Sequence, residues 1–110
     1  MIGADAPIPH DGPPMQALPL PSLDALREHV LKTLCAHDQL EPSQTPLFQS
    51  TITRSGRTCG LFFQAQGPRQ VKTYAVWAGE EGRILFYDSN GLKFEETRLM
   101  ESPDPRKIAA

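Results

Sequence analysis

Residues 47–99 alternate strand-like runs with short breaks: LFQSTITR (47–54), SG (55–56), RTCGLFFQAQ (57–66), GP (67–68), RQVKTYAVWA (69–78), GEEG (79–82), RILFYDS (83–89), NG (90–91), LKFEETRL (92–99). Each segment between breaks is rich in β-branched and aromatic residues. Each break is a pair or quartet that favours a turn, and the breaks recur at hairpin spacing. Asn90-Gly91 is the strongest of them, since both residues tolerate the positive φ of a type I′ turn. Five strands joined by short turns are antiparallel neighbours, so the simplest topology is a meander.

The turns also set which residues share a face, because opposed residues point the same way. A two-residue turn at Ser55-Gly56 pairs Ile52 with Cys59 and Phe48 with Phe63. A three-residue loop over Gln66-Gly67-Pro68 pairs Leu61 with Thr73, and residues 79–82 pair Trp77 with Ile84 and Ala75 with Phe86. Asn90-Gly91 pairs Asp88 with Lys93 and Tyr87 with Phe94. One predicted face carries Phe48, Ile52, Cys59, Leu61, Phe63, Val71, Ala75, Trp77, Ile84 and Phe86. The other carries Leu47, Phe62, Tyr74, Val76, Leu85, Tyr87, Leu92 and Phe94. A half-buried sheet normally alternates apolar with polar, yet here both faces are apolar in the middle strands.

Upstream lies one helix. Ser22 is a good N-cap and Asp24 sits in the first turn, where a carboxylate favours the helix dipole. Leu23, Leu26, Val30 and Leu34 form one stripe at spacings of three and four, with Leu31 on its shoulder. The pattern fades at His37-Asp38-Gln39, and Pro42 forbids continuation. The fold class is therefore α+β: one N-terminal helix packed on a five-stranded antiparallel meander, or that meander curled into a small half-barrel. This layout, though no motif, is similar to the cystatin-like architecture. A single helix covers one sheet face, which leaves the second to a partner, a second copy or a ligand.

The ends read differently. Residues 1–21 hold six of the eleven prolines and few large apolar side chains, which predicts an arm without regular structure. The arm shows no Pro-x-x-Pro with a flanking basic residue, as an SH3-type ligand would need. Ser102-Pro103-Asp104-Pro105 ends regular structure again, so residues 22–101 form the domain and 102–110 a flexible end.

Composition narrows function by exclusion. Eleven basic against thirteen acidic side chains give a net charge of −2, which calls for neither nucleic acid nor an anionic membrane. The N-terminus lacks the basic and apolar regions of a secretory signal, and no apolar run approaches a bilayer span. Two cysteines are too few for a disulfide framework, so a cytoplasmic protein with free thiols is expected. Charge is uneven along the chain. Between Pro42 and Gly79 stand Arg54, Arg57, Arg69 and Lys72 with no acid, whereas Glu80 to Asp104 holds seven acids against three bases. Meander topology brings Arg54 and Arg57 to the same end as Glu80 and Glu81, a charged cluster that either stays a screened surface feature or steers a second copy.

No arrangement of residues points to catalysis, a metal or a cofactor. Cys59 beside two arginines has the surroundings of a reactive thiol, but its register turns it into the core, and His10, His29 and His37 all lie outside the sheet. Cys35 and His37 project about 200° apart on a helix, so they do not make a zinc set with Cys59. Glu95 and Glu96 face opposite ways on a strand, which is wrong for a carboxylate dyad. Phe62 and Tyr74 near Arg69 and Lys72 resemble a base-stacking platform, but the acidic strands beside them repel phosphate and no RNP-like motif is present. The sequence thus favours a non-enzymatic protein-interaction module. Its contact face is Phe62, Tyr74, Val76, Leu85, Tyr87 and Phe94, and a homodimer is one form of it. The rival is a small-molecule-binding or catalytic domain with an apolar pocket between helix and sheet.

Overall fold

The structure, a computed structural model, describes residues 15–68 and 71–107. Strand β1 (Met15–Pro19) leads into helix α1 (Leu23–Asp38), a 3-10 turn at Pro42–Gln44, and then β2 (Leu47–Arg54), β3 (Arg57–Gln66), β4 (Lys72–Ala78), β5 (Arg83–Tyr87) and β6 (Lys93–Glu101). The sheet runs β1-β6-β5-β4-β3-β2. The class is α+β as expected, but the sheet is mixed and six-stranded, because β1 lies parallel on β6 beyond the meander. The sheet is also open: β1 and β2 stand at opposite edges, so the half-barrel does not form.

Strand β1 falls in the predicted arm. Its register sets Leu18 beside Leu99, the N–H of Leu20 donates to the Glu101 carbonyl at 2.8 Å, and Leu20 is buried. An edge strand tolerates proline, since one side of it needs no ladder donors, and Pro19 stands at its end where the register shifts. The rest of the arm, residues 1–14, lies outside the described residues. At the other end, residues 102–107 are not a loose tail: Pro105 is buried and closes over Gly79.

Helix α1 begins as the sequence requires. The Ser22 hydroxyl accepts the N–H of Ala25 at 3.1 Å, and the helix ends on Gln39 in the left-handed region. The connection must carry the chain from one sheet edge to the other. Sixteen residues span roughly 24 Å, and six strands about the same width. Leu26, Val30 and Leu34 are fully buried on this sheet face against Leu61, Phe63, Ala75, Trp77, Ile84 and Phe86. Each large apolar side chain so buried contributes about 1.5–3 kcal/mol.

The turns behave unequally. Residues 79–82 pair Trp77 with Ile84 and Ala75 with Phe86, as predicted. Gly67–Val71 makes a longer loop than expected, closed by the Gly67 N–H on the Val71 carbonyl at 2.7 Å, so Leu61 meets Trp77 instead of Thr73. The slip is an even number of residues, which leaves the faces of β4 and β5 unchanged. Ser55-Gly56 holds both positive φ values (54° and 78°), the arrangement predicted for Asn90-Gly91. At Asn90-Gly91 the Asp88 carboxylate instead accepts the N–H groups of Asn90 (2.9 Å) and Leu92 (3.0 Å), a side-chain-organised loop that ends β5 at Tyr87.

Two bulges alter faces. In β3 the register skips Cys59, so Ile52 opposes Gly60 while Thr53 opposes Thr58. Gly60 is required there, because a Cβ would sit 2.0 Å from the Trp77 carbonyl oxygen. The predicted pairs Ile52–Cys59 and Phe48–Phe63 are therefore replaced by Ile52–Gly60 and Phe48–Gln64. Leu47 turns toward the core, and Phe48 and Ile52 go to the far face. In β6 a bulge at Phe94 pairs Tyr87 with Lys93 and sends Phe94 to the helix side.

Candidate functional site, the open face of the sheet

The face away from α1 is ordered by the register into rows running across the strands. One row is Ser50, Phe62, Val76, Leu85 and Glu96; the next is Phe48, Gln64, Tyr74, Tyr87 and Lys93. The centre is apolar over neighbouring strands, and the Phe62 and Tyr74 rings lie 5.6 Å apart. Phe62, Tyr74, Val76, Leu85 and Tyr87 are half-buried by one another, while Phe48 is 52 % exposed. Opposed side chains about 5 Å apart make this one contiguous patch.

Polar groups bound it on β5 and β6. Glu96, at the end of the apolar row, is buried between Lys93 (3.1 Å) and Arg83 (3.4 Å). The Lys93 ammonium, followed by Arg83, holds its carboxyl below the usual range. Arg83 also pairs with Glu81 at 2.7 Å. The Phe62–Val76–Leu85 row therefore stops at an ion-paired carboxylate, and the Tyr74–Tyr87 row at the lysine that pairs with it.

Five of the six predicted contact residues meet on this face. Phe94 does not: it stacks on the His37 ring at 3.7 Å and packs against the core. Phe48 and Ile52 join the patch in its place. The bulge that moves them has only Gly60 as a trace in the sequence. Of the charged cluster, Arg54, Glu80 and Glu81 rim a shallow depression of about 180 Å³ with Ile52, Cys59 and Val76. Arg57 and Glu80 line another, beside Asp104 and Arg106. These residues share an end of the sheet as expected. Among the described residues no ion pair joins Arg54 or Arg57 to Glu80 or Glu81.

A second cleft of about 530 Å³ runs along the flank of α1 toward β6, with titratable groups on a largely apolar lining of His29, Lys32, Thr33, Ala36, His37, Phe94 and Glu95. His29 Nε2 lies 2.9 Å from the Thr97 hydroxyl. Burial, and then Lys32, lowers its pKa, while burial raises that of Glu95. Beneath the middle of α1 the core side chains pack against the sheet, and the cleft lies beside them between α1 and β6. No group of three metal-ligating side chains occurs among the described residues. Both cysteines are free, Cys35 buried and Cys59 half-buried at the bulge. Among the described residues no helix is long and apolar enough to cross a membrane.

No family model matches the chain, and neither a curated protein nor a solved structure matches it.

Proposed function

We propose that this protein is a non-enzymatic protein-interaction module, acting in the cytoplasm, whose contact surface is the open sheet face. One observation carries the reading: Phe62, Val76 and Leu85 form an apolar row across three adjacent strands, flanked by Tyr74 and Tyr87, on a face that nothing in the chain's described residues covers. Single exposed apolar residues are ordinary on a surface, whereas a contiguous patch marks a contact. Tyrosine suits that place, since its ring buries area while its hydroxyl stays hydrated or bonded. Two unpaired thiols agree with a reducing compartment.

Tyr74→Glu and Val76→Lys test it. Each is expected to abolish self-association, or capture of a protein partner by the immobilised chain, with the melting temperature changed by no more than a few degrees. Unfolding by either substitution shows the patch to be structural and ends the proposal.

A further inference from the structure

We infer that the free edge of β2 pairs with the β2 edge of a second copy, antiparallel and centred on Ser50, to give one continuous twelve-stranded sheet. The inference extends the reading of the open face as a contact surface, because the two faces then merge, but it stands on a different feature.

Among the described residues the sheet has two free edges, and they are not equivalent. β1 is five residues long and ends in Pro19. β2 is eight residues long, contains no proline, and carries no charge from Leu47 to Thr53. Natural sheets blunt exposed edges with proline, lysine or short strands, and β2 uses none of these over its length.

Its hydrogen-bonding phase follows from one bond. The Gln66 N–H donates to the Pro46 carbonyl at 3.2 Å, so even-numbered residues of β2 bond inward to β3. The N–H and C=O groups of Leu47, Gln49, Thr51 and Thr53 therefore point outward. A second copy related by a two-fold axis normal to the sheet must oppose residues that share a face, which means even with even and odd with odd. Centring on Ser50 pairs Gln49 with Thr51 and Leu47 with Thr53 through those outward groups. It also sets Phe48 against Ile52 on the open face, twice. Centring on Thr51 instead sets Phe48 against Arg54 and loses both apolar pairs.

Charge and shape agree with the same register. Arg54 falls opposite the partner's Pro46, at the end of the segment that carries Glu41, the exposed acid between residues 38 and 53. On the helix side, Arg27 bonds to Gln49 and Cys35 lies against Thr45. Leu31, half-buried, sits one turn from each on the same side of α1. Leu31 above and Phe48 below thus flank the edge with apolar surface that the second copy covers.

The full chain is expected to sediment as a dimer of its 12.2 kDa mass. Thr51→Pro removes an outward donor on an edge strand and is expected to give a folded monomer. Ser50→Cys, in a Cys59→Ser background, places two thiols about 4.5 Å apart by Cα, within disulfide reach. It is expected to cross-link on mild oxidation, and Phe48→Cys is not. A wild-type monomer, a Thr51→Pro dimer or uncrosslinked Ser50→Cys each overturns the edge pairing. Val76→Lys separates the two readings. If it leaves the dimer intact while Thr51→Pro breaks it, the edge stands and the open face is not the self-association surface. If it yields monomer while Thr51→Pro stays dimeric, the edge pairing fails and the face reading holds.

Discussion

At the scale of single residues, three side chains carry separable consequences. Thr73 is 1 % exposed on the helix side, and its hydroxyl has no partner among the described residues. Replacing it by the isosteric, strand-favouring valine removes an unsatisfied group, so Thr73→Val is expected to raise stability by up to about 1 kcal/mol in denaturant titration. His29 gives a pH dependence. It is half-buried, meets Thr97 and the edge of Phe86, shares its cleft with Lys32 and Glu95, and has a pKa below 6.5 because burial opposes its charge. The unfolded chain then takes up a proton first as pH falls. The His29 contribution is complete above pH 6.5 and is lost as pH drops below 6.5 through the folded pKa. Melting temperatures between pH 7.5 and 5 are expected to decline, and His29→Gln to flatten that slope. The turn register alone predicts Cys59 as the sheltered thiol, opposite Ile52. The bulge leaves it half-buried at the rim, while Cys35 is 1 % exposed and burial raises its pKa. In native protein a thiol reagent is expected to label Cys59 first.

At the scale of elements, the helix and the strand segments were legible because their signals are local. Ser22, the stripe from Leu23 to Leu34 and the stop at Pro42 describe α1 without reference to the sheet, and the turn pairs delimit β2 and β3 at their observed ends. Strand β1 was not legible. The prolines around it outweigh the short alternation Leu18-Pro19-Leu20, and only the exposed ladder of β6 makes a strand there worth forming. That reverses the expectation for truncation. An arm without structure could be deleted at no cost, but removing residues 1–20 takes away Leu20 and the packing of Leu18 on the core. A loss of about 2–3 kcal/mol is expected, roughly ten degrees in a domain of this size. An unchanged melting temperature would show that β1 does not pack on the core.

At the scale of the whole molecule, α1 leaves from one edge of the sheet and returns at the other, so one face is closed and the other stays open among the described residues. Sequence patterning foresaw this division in the alternation of Leu61, Phe63, Ala75, Trp77, Ile84 and Phe86 against Phe62, Tyr74, Val76, Leu85 and Tyr87. All of the first set are fully buried and all of the second only half-buried. Membership at the margins differs from the alternation where a bulge intervenes. A single skipped residue exchanges faces, and so Phe48, Ile52 and Phe94 changed sides while the central strands did not.

Alternation with period two is a property of the chain itself, because successive strand side chains point to opposite faces whatever surrounds them. The sequence by itself therefore determined the helix, the central strands and the two apolar faces of the sheet. Which strand borders which, whether an edge takes one more strand, and where the ladder skips a residue depend on distant backbone groups meeting. The Trp77 carbonyl against Gly60, and the β6 edge beside Leu18, are such meetings, with no local pattern to announce them. The tertiary structure alone decided the sixth strand, the bulges at Cys59 and Phe94, and the place of β2 at the sheet edge.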